Sequence, residues 1–236
     1  MPKSIAVFGA GPGLGRAVAR RYARAGYDVV LVARNPQPLD MFARDLTGLG
    51  GAAHVITADL ADTDAVPSLA GRIRAATGEL DALYYAPTPS QGFVPAVELT
   101  PQRADEFMPI VFYSLIALVQ EFLPHMIEQR SGAILTAQGA STVHGLPQMS
   151  GPGPAQAAQR NYLQSLQAEV SDKGVYVGML YIGALIENSA FHAGTEAAKA
   201  AGTGRDWGPT VDPDHLADLL WNMHNTTGES EARYPE

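Results

Sequence analysis

The stretch Ser4–Arg16, SIAVFGAGPGLGR, decides the fold of this chain. Ile5–Phe8 is an apolar run of strand length. Gly9, Gly11, Gly13 and Gly15 crowd the residues after it, and Leu14–Ala25 then carries an Ala-, Arg- and Val-rich helical pattern. A strand, a glycine turn and a helix N-terminus in that order form a phosphate cradle. Glycines let the backbone approach a pyrophosphate, and the unpaired N–H groups and positive dipole end of the helix attract its charge. The spacing of Gly9, Gly13 and Gly15 is G-x-x-x-G-x-G, not G-x-G-x-x-G.

Outward from this stretch, strand-like and helix-like segments alternate. The patterns predict strands near Ile5–Phe8, Asp28–Val32, Ala53–Thr57, Asp81–Tyr85, Ala133–Thr136 and Val175–Leu180. Between them lie helices near Leu14–Ala25, Pro38–Leu46, Thr63–Thr77, Gln102–Gln129, Ala155–Ser171 and Asp214–His224. That order calls for an α/β fold, a parallel sheet with helices on both faces. Gly26, Gly78, Gly132 and Gly174 stand where helices should stop in a left-handed C-cap. No composition break or repeat divides residues 1–236, so one domain is expected.

Composition narrows the function. Apolar residues make up 46% of 236, with no low-complexity run, so the chain is globular. A net charge of −8 argues against a nucleic-acid surface. The absence of cysteine removes disulfide and thiolate chemistry. The six histidines have no metal-motif spacing, so no metal is expected. The first residues lack a signal-peptide pattern, and Ile110–Leu123, the nearest approach to a membrane span, is interrupted by Tyr113, Ser114, Gln120 and Glu121. A soluble cytoplasmic protein, with neither membrane nor nucleic acid as partner, is the expectation.

The second strand ends in Ala33-Arg34-Asn35. An acid at such a strand end takes the ribose hydroxyls of NAD; an arginine suits the 2′-phosphate of NADP through its fixed charge and forked donors. Asp59-Leu60 follows the third strand, where the aspartate by itself reads as a helix cap, although Asp62 and Thr63 cap better.

The glycine spacing after an N-terminal strand, in a chain of this length, resembles the short-chain dehydrogenase/reductase family. The resemblance covers most of the chain and implies a Rossmann-like doubly wound parallel sheet in three layers. It also implies NADP (NADPH) held by Gly9, Gly11, Pro12, Gly13, Leu14, Gly15, Arg34, Asn35, Asp59, Leu60, Ala86, Pro87 and Gly183. Where the family continues Asn-Asn-Ala-Gly after its fourth strand, this chain has Tyr84-Tyr85-Ala86-Pro87, in either of two registers. The backbone there can still underlie the cofactor ribose.

The family's reaction is hydride transfer between nicotinamide and a carbonyl or alcohol carbon, assisted by Asn, Ser, Tyr and Lys. Counting from the stretches that match it, the Asn position falls on Val111 and the Ser position on Gly139. The Tyr position falls on Pro152 and the Lys position on Gln156. No Tyr-x-x-x-Lys spacing exists between Ser131 and Ser171. Acid–base help is worth roughly 10²–10⁴ in rate, so ordinary ketone reduction should be slow or absent. The prolines of Gly151-Pro152-Gly153-Pro154 imply that Pro154 opens the helix and that the turn before it is unwound.

Replacement groups are available on Tyr113, Ser141, His144, Gln148, Gln156, Tyr162 and Tyr181, with Ser141 for holding an oxygen and His144 for donating a proton foremost. Four residues after Gly183, Glu187 stands where the family has a Thr touching the nicotinamide end, and Asn188–Val211 is the expected substrate-covering lid. Helices 102–129 and 155–171 have broad apolar faces suited to a homodimer or homotetramer. Three readings stand: an NADP(H)-binding oxidoreductase with a degenerate or rebuilt centre acting on a small-molecule substrate, the same fold doing non-redox cyclase, dehydratase or isomerase chemistry, and a non-catalytic nucleotide sensor.

Overall fold

The computed structural model of the chain describes residues 2–204 and 206–235, apart from the side chain of residue 227; Arg205, in the expected lid, and Glu236, in the tail, lie outside the described residues. The elements in chain order are β1 (Ser4–Phe8), α1 (Leu14–Arg24), β2 (Asp28–Ala33), α2 (Pro36–Leu46), β3 (Ala53–Thr57), α3 (Val66–Thr77), β4 (Ala82–Tyr85), α4 (Pro101–Asp105), α5 (Ser114–Glu128) and β5 (Gly132–Gly139). They continue with α6 (Gly153–Val170), β6 (Val175–Ile182), β7 (Leu185–Ile186), α7 (Ala190–Ala200), β8 (Thr210–Val211), α8 (Pro213–Asn222) and β9 (Glu231–Tyr234).

Seven strands form one parallel sheet in the order β3-β2-β1-β4-β5-β6-β9. All its strand pairs run parallel. The side-chain alternation of the strands feeds two cores. Phe8, Val30, Leu83, Ile134 and Met179 pack with α3, α5 and α6 on one face. Val7, Val29, Tyr84, Leu135 and Leu180 pack with α1, α2 and α8 on the other. Strands buried on both faces explain the near-continuous apolar runs in the sequence. The three-layer doubly wound sheet matches the expectation, with β9 a seventh strand that no sequence pattern had marked.

Three local expectations need correction. Gln102–Gln129 is not one helix but α4, a π-helical turn at Pro109–Tyr113, and α5. Pro109 has no N–H to donate, so the regular ladder cannot pass through it. The whole Pro101–Glu128 stretch is long and apolar enough for a membrane span by composition, but 44% of its most apolar window is buried inside the fold, in the manner of a core helix. Gly132 is no helix cap either: Arg130 takes the left-handed conformation (φ 49°) instead. Gly132 is small because a Cβ there would lie 2.5 Å from Met126 Cγ. Finally, the first turn of α6 is intact. The helix starts at Gly153, and the Pro152 carbonyl accepts from the Gln156 N–H at 2.9 Å. Prolines fit here because the first N–H groups of a helix have no intrahelical acceptor.

Candidate active site

The strand order reverses between β1 and β4, and the glycine turn lies at the carboxyl ends of those two strands. Such a reversal opens a crevice in parallel sheets. Gly9 (φ 90°) donates its N–H to the Val32 carbonyl at 3.0 Å, and a Cβ on it would lie 2.8 Å from Ala86 O and Pro87. A Cβ on Gly15 would lie 2.3 Å from Gly9 O, whereas on Gly11 the nearest atom is 4.0 Å away. Gly9 and Gly15 are therefore required by packing, and Gly11 is not.

The N-terminus of α1 is bare. Gly13 caps it with no side-chain hydrogen bond, and among the described residues the amides of Gly13, Leu14 and Gly15 have no acceptor. The first acid in reach of an ordinary cap is missing too, since the first turn of α1 holds no carboxylate. Three unpaired N–H groups on a dipole's positive end fit an anionic bridge. Pro12 is exposed beside them, and Leu14 turns into the core.

Neighbouring strand ends extend this cradle. Ala58 N–H donates to Ala33 O at 3.1 Å, which sets the ends of β2 and β3 side by side. Arg34 is exposed there, with no ion pair or hydrogen bond to its side chain among the described residues. Asn35 spends its side chain capping α2, accepting from Gln37 N–H at 3.2 Å. Asp59 is exposed and closes a turn onto Ala61 N–H at 3.0 Å, while Asp62 caps the helix ahead. Leu60 is buried in the core.

On the far side of the crevice, a small pocket is lined by Ala86, Pro87, Val111, Gln138, Gln156 and Gln159. Its volume, about 10 Å³, is that of one water. Val111 and Gln156, counted from sequence as the Asn and Lys positions, do meet here. Gly139 belongs to the same corner: a Cβ on it would lie 3.4 Å from Ser141 Oγ and 3.7 Å from Gln156 Oε1. Thr142 Oγ1 donates to Gln156 Oε1 at 3.2 Å.

Sequence reasoning missed two buried glutamines, Gln138 and Gln159. Gln159 Nε2 donates to the Val111 carbonyl at 2.5 Å, and Gln138 Nε2 donates to Gln159 Oε1. The carbonyl can only accept, which fixes the orientation of both amides. Gln138 Oε1 is left buried and without a partner. A polar pair spaced 21 residues apart across a strand and a helix has no local signal.

No lysine lines the pocket, and the chain's three, Lys3, Lys173 and Lys199, lie elsewhere. Tyr85 reaches it, but its hydroxyl donates to Ile110 O at 2.5 Å and burial pushes its phenol pKa up. Ser141 is buried, while His144 is exposed and faces a second cavity together with Tyr181 and Gly183. Tyr113 is exposed on the outer face, and Tyr162 packs against Phe112.

Two segments pack beside the crevice. The loop after β4 is tied down by Ser150 N–H to Val94 O at 3.0 Å, and it presses Gly92 O against Gly151. The 188–211 segment contains α7 and β8, where no regular structure was expected, and β8 pairs back onto β7 just ahead of it. Glu187, expected near the cofactor, is tied by its N–H to Val211 O. Ser189 is the residue set against Gly13, its Cβ 3.1 Å from where a Gly13 side chain would be, and its hydroxyl caps α7 through His192 N–H. Phe191 and Trp207 clasp Phe93 of the β4 loop, with ring centroids 5.7 and 5.3 Å from it.

A family model described as short chain dehydrogenase matches residues 3–194. The fatty acyl-CoA reductase of Acinetobacter baylyi is 27% identical over 221 residues, covering 92% of this chain and 71% of that protein. A dehydrogenase/reductase SDR family protein 7-like of Drosophila melanogaster is 25% identical over 226 residues, covering 92% and 68%. Among solved structures, L-sorbose reductase from Gluconobacter frateurii, complexed with NADPH and L-sorbose, superposes with a TM-score of 0.85 at 20% identity, covering 98% of this chain and 94% of that one.

Proposed function

Because the chain belongs to the short-chain dehydrogenase family, we propose that it is an NADP(H)-binding oxidoreductase homologue whose proton-handling positions are rebuilt with neutral residues. The observation that carries this reading is the bare N-terminus of α1 beside an unpaired Arg34. In the proposal, Gly13, Leu14 and Gly15 N–H groups hold the pyrophosphate, and Arg34 holds the 2′-phosphate through charge and paired donors. Ala86 and Pro87 form the ribose floor, Asp59 faces the adenine end, and residues 188–211 act as the lid. The chemistry such a nucleotide supplies when bound is a hydride.

At the reacting end, Gln156 has an amide N–H free of Thr142, and Gln138 has a free acceptor. One donor and one acceptor facing the same small pocket complement a hydroxyl, which is both. This pair takes over the holding of the nicotinamide ribose without a positive charge. Ser141 supplies a hydroxyl next to the position of Gly139 and orients a substrate oxygen. None of these groups titrates near neutral pH, so proton transfer has no built-in acid. Hydride transfer is then slower by roughly 10²–10⁴ than with an acid in place. The same feature supports a second reading, a nucleotide-sensing protein that binds without turning over.

Titration measures the reading directly. NADPH binds more tightly than NADH, and Arg34→Gln removes that difference; equal affinities in the unaltered chain would discard the 2′-phosphate assignment. Gln156→Met weakens NADPH but leaves 2′,5′-ADP untouched, since only the former carries the nicotinamide ribose. NADPH oxidation with a panel of small ketones and aldehydes separates catalyst from sensor. Two copies pairing through α5 and α6, and a cytoplasmic location, complete the proposal.

A further inference from the structure

We propose that the cavity at the carboxyl ends of β6 and β9, which takes in Gly183 from the rim of the nucleotide cleft, binds a small carboxylic acid alongside a nucleotide in that cleft. The cavity holds about 200 Å³. Val143, Pro235 and the ring of Tyr181 give it apolar walls, and His144 and Arg233 supply its polar groups.

Strand register explains why Arg233 is available. Met179 pairs with Glu231 and Tyr181 with Arg233 in the parallel β6–β9 ladder, so all four project from the face covered by α6. Glu231, the carboxylate nearest to Arg233 along its own strand face, is already taken. Arg160 Nη2 donates to it at 2.9 Å and Gln164 Nε2 at 2.5 Å. Arg160 also donates to the Tyr181 hydroxyl at 3.0 Å. Burial, then the Glu231 charge, push the Tyr181 phenol up to about 12, so it stays neutral and adds no negative charge to the wall.

Arg233 is thus left at the rim with no ion pair or hydrogen bond to its guanidinium among the described residues. In this acidic chain, by contrast, Arg16, Arg20, Arg21, Arg74 and Arg103 each hold a carboxylate. The His144 side chain is likewise unpaired, and its imidazole offers an N–H in either protonation state. A forked guanidinium matches a carboxylate, and apolar walls match a hydrocarbon body. The segment from Ala140 to His144 separates this cavity from the crevice, because its other side carries Thr142 bonded to Gln156.

Isothermal titration with benzoate and its uncharged counterpart benzamide tests the site. Benzoate binds once per chain, and benzamide about tenfold more weakly, as loss of a charge-assisted contact requires. Arg233→Gln weakens benzoate to the level of benzamide and leaves benzamide unchanged. Arg233→Lys, which keeps the charge without the fork, falls between. Val143→Trp fills the cavity and abolishes both. Arg233 is exposed on an edge strand, and unchanged circular dichroism checks that its variants fold. Saturating NADPH leaves benzoate bound. Equal affinities for acid and amide, an Arg233→Gln chain that binds benzoate normally, or displacement by NADPH each overturns the proposal.

Discussion

Single residues at the crevice are chosen for what a side chain would strike. Gly15→Ala forces a Cβ against Gly9 O, so it costs about 1–3 kcal/mol of stability. It also lowers NADPH affinity by spreading the turn. Gly11→Ala, with nothing nearer than 4.0 Å, shifts stability by no more than about 0.5 kcal/mol. Thermal unfolding of the two variants measures the contrast. Equal stabilities would show that the turn is not packed as described.

His224 carries a pH dependence. Burial, helped by Lys3, lowers its pKa to about 4, and Nδ1 lies 3.0 Å from the Tyr22 hydroxyl. An unfolded histidine titrates near about 6.5. Between those values the unfolded chain binds the extra proton. This contribution to stability is therefore complete above about pH 6.5 and is lost as pH falls towards 4, by roughly 3 kcal/mol. His224→Gln flattens that part of the profile in denaturant titrations taken at several pH values. An unchanged slope would move the effect to other groups.

At the scale of elements, the 188–211 segment is joined to the rest at identifiable points. Ser189 caps α7 and rests on Gly13, and the Phe93–Phe191–Trp207 cluster clasps it to the loop after β4. Phe93→Ala removes the clasp, so amide exchange in α7 speeds at least several-fold while α1 remains protected. Uniform exchange across both helices would refute the clasp. The same elements mark where sequence patterns stopped being informative. Strands β1, β2, β4, β5 and β6 announced themselves because they are buried on both faces, and the half-buried edge strand β3 did so through Val55 and Ile56. Strands β7 and β8 have two residues each and pair only with one another, which leaves too short a run for any period to register.

For the whole molecule, the π-helical turn ahead of α5 and the outer face of α6 bring Phe112, Tyr113 and Tyr162 together, and Tyr113 is 48% exposed. Light scattering should give a dimer or tetramer mass, and Tyr113→Glu a monomer of unchanged fold. A monomeric unaltered chain would remove the pairing.

The chain's own order of residues determined the layered fold, because apolar strands, glycine turns and helix periods are local signals that survive without tertiary context. It also determined that no Tyr-x-x-x-Lys spacing exists between Ser131 and Ser171. Tertiary structure alone decided which residues line the small pocket. Gln138, Gln156 and Gln159 come from a strand and a helix that meet only after folding, and the orphaned acceptor on Gln138 exists only because its amide partner was fixed by a carbonyl of a third segment. Likewise the setting of Ser189 against Gly13 came only with folding, since β7 pairs with β8 and α7 begins directly after Ser189.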